Sequence, residues 1–324
     1  MISWSLMTLV TGLAVGLAIG FVMQRGRFCM NTAFRDVIFI QDVTLFRTYI
    51  LALIIAMVGS NFLSSMHWLG GDSYGPFALS ASRQVFAPIA NIVGGYIFGI
   101  GIVLASGCGS GILFRVGEGL TQALVAVMGF GLSIMTTEYG ILKPVYKLLR
   151  SYTVMMHAPD GTLITGIGLP DLFGGGQLAK WIIIAVFTIV GGIFVLKGKP
   201  FSKSTGTGYY WSFTGLLLGI TVIGSFWAGG VYGGWPRGIS FTGPLAETFR
   251  AVLFKNSHSS FPMFDFFGIH ATWSVFYVLM VPVGAFISSK ALREFKISVP
   301  TAQELVVVFI GSLLMGFGAA TAGG

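Results

Sequence analysis

The stretch "LASGCGSGILFRVGEG", Leu104–Gly119, interrupts an apolar run with a cysteine set among glycines, followed by an arginine and a glutamate. Glycine allows a tight turn that exposes backbone N–H groups, and N–H groups at the start of a helix attract anions. The stretch therefore predicts a turn and a short half-helix within the membrane. We expect Cys108, with Gly107, Gly109 and Ser110, to line a pathway for a small anion.

The rest of the chain has the composition of a membrane protein. Of its 324 residues, 54% are hydrophobic and only 9% are charged, whereas a soluble domain has about 25% charged residues. Apolar runs long enough to cross about 30 Å of hydrocarbon recur along it. The clearest are Ser3–Val22, Thr44–Phe62, Ile89–Ala105, Leu120–Met135, Trp181–Leu196, Trp211–Phe226, Trp273–Ile287 and Leu305–Ala320. We predict one all-α polytopic domain over residues 1–324, with roughly eight or more transmembrane helices, short re-entrant half-helices and lipid around it.

The charged residues indicate topology rather than a polyanionic partner. The net charge of +8 is typical of Lys/Arg-rich cytoplasmic loops, and no soluble basic domain is present to bind nucleic acid. We place the basic segments Leu196–Ser204 and Ser288–Lys296 in the cytoplasm. The first apolar run lacks a basic n-region, so no removable signal peptide is expected. The four histidines are scattered, and we expect no metal or other cofactor.

Glycine spacing indicates an internal repeat. The segment Gly94–Cys108 aligns without gaps on Gly311–Gly324, and Gly12–Gly20 has a glycine spacing similar to that of Gly215–Gly224. Close helix packing alone explains such spacing, but matching broken segments in two halves point to an inverted-repeat transporter. The pseudo-repeats are expected at about 1–150 and 180–324. Cys108 aligns one position beyond Gly324, so either the second half has lost its thiol or the sequence is truncated, and we expect the latter. Gly323 and Gly324 are expected to lie on the pathway.

A second cysteine motif, "QRGRFCMNTAFRD", covers Gln24–Asp36 and follows the first apolar run. Its apolar remainder is too short to cross a membrane, so we predict a half-helix with Asn31 and Thr32 in its opening turn. Irregular backbone at membrane depth is tolerated only against protein or a wet cavity, so the segment marks a pathway. Cys29 has other interpretations: a small buried hydrophobic residue, or a disulfide partner of Cys108.

These motifs resemble those of the YeeE/YedE sulfur transport family. The resemblance rests on "CMNTAFRD", on "GCGSGILFRVGEG" and on "GFGAATAGG", which matches a later motif up to an absent cysteine. It implies a bacterial inner-membrane permease for thiosulfate in which Cys29 and Cys108 are relay thiols linked by S–H···S hydrogen bonds. A third relay position would fall just after Gly324. Some relatives are instead linked to selenium metabolism, and others to small cytoplasmic sulfur-carrier proteins.

The charged residues of the two motifs have several interpretations. Arg27, Arg35 and Arg115 are suited to drawing an anion toward the entrance. Arg35–Asp36 and Arg115–Glu118 are expected to form ion pairs that hold the half-helices, because charges within membranes usually pair. Proton coupling through Asp36 or Glu118 is an alternative.

Three other functions compete with thiosulfate uptake. One is a membrane sulfurtransferase with a persulfide on Cys29 or Cys108, although neither cysteine has a histidine nearby in sequence to serve as its base. The second is a permease for another sulfur- or selenium-containing species, and the third is a membrane protein without a substrate. We expect a transporter rather than an enzyme, because weak S–H donors in series suit passage of an anion better than tight binding.

Overall fold

The computed structural model describes residues 2–69, 85–157, 163–164, 167–172, 177–199, 201, 209–234, 238–254, 264–266 and 269–323. Within these residues the chain is an all-α polytopic membrane protein with two short β-hairpins, which confirms the predicted fold class. The helices are α1 (Ile2–Arg25), α2 (Met30–Arg35), α3 (Thr44–Ser65), α4 (Pro88–Leu104), α5 (Gly109–Gly117), α6 (Thr121–Glu138), α7 (Lys143–Leu149), α8 (Leu169–Leu172), α9 (Gln177–Leu196), α10 (Trp211–Val231), α11 (Thr242–Phe254), α12 (Trp273–Ala291) and α13 (Ala302–Ala322). A π-helical segment, Asp36–Ile40, continues α2.

The long helices coincide with the predicted apolar runs. Seven candidate spans in the described residues are long and apolar enough to cross a membrane, and α6 with α7, bent by 71° between them, makes an eighth. Two of these spans contain a break: Leu6–Ile40 includes α1 and α2, and Pro88–Gly117 includes α4 and α5. The short helices predicted after each break are present.

The hairpins are antiparallel and small. Strands β1 (Met156–His157) and β2 (Leu163–Ile164) form one, and β3 (Phe264–Phe266) and β4 (Ile269–Ala271) form the other.

Helices α1 and α4 end in the same way, and each end lies just before a cysteine. Arg27 and Ser106 have left-handed backbone conformations, with φ of 45° and 60°. The N–H of Phe28 donates to the carbonyl of Met23 at 3.0 Å, and the N–H of Gly107 donates to that of Ile102, also at 3.0 Å. These are Schellman turns, which satisfy terminal carbonyls and redirect the chain. Each left-handed residue stands two positions before its cysteine.

Glycines set the close approach of several helix pairs in the bundle. Helices α1 and α12 run parallel: a Cβ at Gly16 would lie 2.2 Å from the Tyr277 carbonyl oxygen. Helices α3 and α10 also run parallel, whereas α4 and α13 are antiparallel, with Gly94 facing Gly318. Packing rather than water drives helix association in lipid, and small residues permit that packing. The core of the bundle surrounds both cysteines.

Two further helix ends follow from local sequence. Thr301 and Glu304 form a capping box at the start of α13, in which each side chain bonds to the backbone N–H of the other residue. Pro88 occupies the first turn of α4, where its missing N–H is not needed.

Candidate functional site

The two cysteines meet inside the bundle although 79 residues separate them in sequence. Their Sγ atoms are 3.3 Å apart, within hydrogen-bonding distance for two thiols, and both cysteines are free. Cys29 is the N-cap of α2 and Cys108 is the N-cap of α5, so each sulfur lies where a short helix begins. The backbone amides of Asn31 and Gly111 both interact with the Cys108 sulfur. The site is therefore a thiol pair surrounded by backbone donors.

Glycines make this contact possible. A Cβ placed on Gly111 would lie only 2.6 Å from the Cys29 sulfur and 3.6 Å from the Cys108 sulfur. At Gly109 an added Cβ would meet Phe130 at 3.3 Å, and at Gly107 it would meet the Arg115 guanidinium at the same distance. Gly111 is thus the glycine on which the approach of the two thiols depends.

A cavity of about 570 Å³ reaches one member of the pair. Cys108, Gly109 and Ser110 line it, and the Ser110 hydroxyl lies 3.3 Å from the Cys108 sulfur. Cys29 is 1% exposed and does not line the cavity. Most of the wall is apolar and aromatic, from Ile19, Met23, Phe28, Tyr49, Phe98, Phe130, Leu218 and Phe241 among others.

The start of α11 completes the wall, which the sequence analysis missed. Ser240 and Thr242 line the cavity together with the cysteine-bearing segment Cys108–Ser110. The buried Tyr277 holds this segment, since its hydroxyl donates to the Ser240 carbonyl and accepts from the Ser240 N–H. The available signal was the sequence "SFTGP", because serine, threonine and proline are common where helices begin.

The predicted ion pairs have different outcomes. Arg35 and Asp36 form a salt bridge at 3.0 Å, with 54% of the arginine side chain exposed. The expected Arg115–Glu118 ion pair is wrong: no salt bridge joins them, and the Arg115 guanidinium donates to the carbonyl of Ser106. Arg115 therefore fixes the turn that presents Cys108.

Arg27 and Glu118 belong to a polar cluster that the sequence did not predict. Arg27 pairs with Glu294 at 3.1 Å. The side-chain amide of Gln24 donates to Glu118 at 3.3 Å and to Glu294 at 3.0 Å. Burial, aided by the nearby negative charge of Glu294, raises the pKa of Glu118.

The remaining predicted pathway residues lie in different places. Asn31 and Thr32 occupy the first turn of α2, as expected, and are partly buried. Gly323 ends α13 in a left-handed conformation and is not among the residues that line the cavity. Gly324 lies outside the described residues.

Comparison with known proteins identifies the family of this chain. The profile of the family described as sulphur transport matches residues 25–324. The chain belongs to the sulphur transport family. The resemblance seen in the cysteine motifs is thereby confirmed, and this member of the family is a multi-pass membrane protein.

Two relatives align with nearly all of this sulphur transport protein. One, named thiosulfate transporter TsuA, from Spirochaeta thermophila, is 31% identical over 316 residues, which cover 97% of this chain and 88% of the relative. Another of the same name, from Escherichia coli, is 28% identical over 332 residues, which cover 98% of this chain and 84% of the relative.

Proposed function

We propose that this protein carries thiosulfate across the bacterial inner membrane into the cytoplasm, and that Cys29 and Cys108 are consecutive relay thiols. The names of the two relatives and the family support the substrate and the transport. The 3.3 Å contact between the two sulfurs, next to the cavity, is the observation that carries the relay.

The chemistry of the thiol pair suits a doubly charged anion with a soft terminal sulfur. Moving an isolated ion into a medium of low dielectric constant costs tens of kcal/mol by Born estimates, so the pathway must supply donors. A thiol is a weak donor, and weak donors in series let an ion leave as readily as it enters. The backbone N–H groups near Cys108 add donors without a full positive charge.

The geometry also gives an order of contacts. Cys108 and Ser110 face the cavity, whereas Cys29 lies behind Cys108. An anion in the cavity meets the Cys108 thiol first and reaches Cys29 only if the segments around the pair shift. The pair thus acts as the narrow part of the pathway and limits the rate of passage.

The two halves of the bundle are proposed to be inverted pseudo-repeats. In this repeat α1 corresponds to α10, and α12 corresponds to α3. The parallel pair α1–α12 then has its counterpart in the parallel pair α10–α3. The α4–α13 pair, which contains the aligned glycines, is antiparallel, as an axis in the membrane plane requires.

Delivery to a small cytoplasmic sulfur-carrier protein is implied by the family resemblance alone.

Uptake of labelled thiosulfate tests the proposal. Cells without other thiosulfate transporters would express the wild-type protein, Cys108→Ser or Cys29→Ser at matched membrane abundance. We expect the wild type to accumulate the label, and each serine variant to lose at least about tenfold in rate, about 1.4 kcal/mol in the barrier. Gly99→Ala is the control, because an added Cβ there meets nothing within 4 Å.

The chemical form of the label separates transport from sulfur transfer. A transporter accumulates intact thiosulfate, whereas a persulfide enzyme releases sulfite and leaves sulfur on the protein. The hydrogen bonds that the structure gives the two sulfurs within the described residues include none to a histidine or a carboxylate, the usual bases of a cysteine nucleophile. Sulfite with protein-bound label would overturn the transport proposal in favour of the enzyme, and wild-type uptake by both serine variants would overturn the relay.

A further inference from the structure

The side chain of Gln24 occupies an unusual position at the end of α1. It is fully buried, and its Nε2 atom donates to two carboxylates, Glu118 at 3.3 Å and Glu294 at 3.0 Å. Its Oε1 atom is also buried and has no hydrogen-bond partner in the part of the chain that the structure describes. A buried acceptor without a donor destabilises a protein by about 1–3 kcal/mol, so the arrangement calls for an explanation.

The cluster is short of donors. An ionised carboxylate only accepts hydrogen bonds, so Glu118 and Glu294 share the nitrogen of one amide, and Glu294 also accepts from Arg27. The amide oxygen has no donor among the described residues. A proton on one carboxyl group supplies an additional donor. The proton also removes the repulsion between the two negative charges of Glu118 and Glu294, which both accept from Gln24. This repulsion otherwise disfavours ionisation of both carboxyl groups.

The surrounding charges decide which carboxyl group takes the proton. The charged groups that face Glu118 are Arg27, Arg115 and Glu294, and Lys296 contacts it through a backbone N–H. Arg27 forms its salt bridge with Glu294 and so favours the ionised form of that residue. Arg115 has its own acceptor, the Ser106 carbonyl. Glu118 has no salt bridge among the described residues, and burial raises its pKa.

We propose that Glu118, held by Gln24 beside Glu294, is a proton-binding site of this protein. The position links the proton to the thiol pair, because Cys108 caps the start of α5 and Glu118 caps its end. A helix of this length separates them by about 15 Å. Arg27, the partner of Glu294, stands two residues before Cys29. Both cysteine-bearing segments are therefore connected to the proton site, one through α5 and the other through Arg27.

Infrared spectroscopy of the purified protein in lipid nanodiscs tests the site directly. The carbonyl stretch of a protonated carboxyl group is followed from acid to alkaline pH. We expect a band that persists in the wild type to a higher pH than an ordinary glutamic acid allows and that is missing in Glu118→Gln. Glu304→Gln is the matched control, because this carboxylate is exposed and glutamine also completes a capping box. Identical spectra for the wild type and Glu118→Gln would overturn the proposal.

A second variant gives an expected change of defined sign. The Gln24 amide stabilises the ionised form of Glu118. Gln24→Met removes that donor with little change of volume. The band should therefore persist to a pH about one unit higher, which corresponds to about tenfold tighter binding of the proton. A band that disappears at lower pH in Gln24→Met contradicts the assignment.

Thermal denaturation supplies a readout that does not depend on the spectrum. A carboxyl group with a raised pKa binds its proton more tightly in the folded protein than in the unfolded chain. Its contribution to stability is present below the unfolded pKa and is lost as pH rises through the folded pKa. The unfolding temperature of the wild type should therefore fall with rising pH more steeply than that of Glu118→Gln, and equal slopes contradict the site.

The consequence for transport rests on the proposed function. Proton binding at Glu118 removes one negative charge from the end of the helix that carries Cys108 at its start, so thiosulfate uptake should rise as pH falls in the wild type and vary less in Glu118→Gln. If the wild type takes up no thiosulfate, the proposed function fails while the spectra still decide the proton site. If uptake is normal but the spectra are identical, the proton site alone fails.

Discussion

Replacement of Gly111 by alanine is the sharpest test of the thiol pair. The new Cβ would lie 2.6 Å from the Cys29 sulfur, whereas nonbonded heavy atoms settle at about 3.5–4.0 Å. The contact must therefore open by about 1 Å. A shift of this size that moves Cys29 away from Cys108 lengthens the 3.3 Å contact between the sulfurs beyond hydrogen-bonding distance.

The expected effects on stability and on uptake differ in size. Overpacking of a buried site destabilises a protein by about 1–3 kcal/mol, which a membrane protein of this size tolerates with reduced abundance. Uptake of labelled thiosulfate, normalised to the amount of protein in the membrane, should fall by at least about tenfold, since a change of 1.4 kcal/mol in the barrier is tenfold in rate.

Two comparisons identify the cause. Gly109→Ala lies two residues away on the same helix, and its Cβ would meet Phe130 and Phe241 rather than a sulfur, so a smaller loss is expected. Adding Cys29→Ser to Gly111→Ala replaces the sulfur by a smaller oxygen and should recover stability but not uptake. If Gly111→Ala is abundant and transports at the wild-type rate, contact between the thiols is not needed and the relay is wrong.

Three further predictions concern the frame around the site. Ser106→Gly should stabilise the protein in thermal denaturation by about 0.5–1 kcal/mol. Glycine adopts the left-handed conformation without the strain that serine has there, and this gain exceeds the loss from the greater freedom of glycine in the unfolded chain. An unchanged or lower unfolding temperature refutes the prediction. Gly16→Ala should destabilise by about 1–3 kcal/mol and lower the yield of folded protein, since its Cβ collides with the Tyr277 carbonyl; a normal yield and melting temperature argue against this contact. Asp36→Asn should change stability by less than about 1 kcal/mol, because its partner Arg35 is half exposed, and a pH-dependence of uptake that disappears in this variant would move the proton site to Asp36.

Local sequence was sufficient for much of the fold. Apolar runs predicted the long helices to within a few residues at most ends, because hydrocarbon accepts a backbone only when its hydrogen bonds are satisfied within the helix. The breaks before Cys29 and Cys108 were also predictable, since glycines and polar residues interrupt the apolar pattern there. The Schellman turns were not, because arginine and serine rather than glycine occupy the left-handed positions, Arg27 and Ser106.

Charge pairing was the least predictable feature. Arg35 and Asp36 are adjacent in sequence and pair as expected, because their separation is fixed by the chain. Arg115 and Glu118 are also near in sequence, yet the arginine turns back to the Ser106 carbonyl and the glutamate accepts from Gln24. Partners as far apart in sequence as Gln24 and Glu294 carry no local signal that identifies them.

The amino-acid sequence by itself determined that this chain crosses a membrane repeatedly and that two cysteines begin short helices at breaks in its spans. Hydropathy and helix-breaking residues act over a few turns, so they can be read locally. Only the tertiary structure decided that the two sulfurs touch, that Cys108 and not Cys29 faces the cavity, and that Gln24 joins two carboxylates. Those features depend on how close the helices approach one another, which is set by packing between residues far apart in the chain.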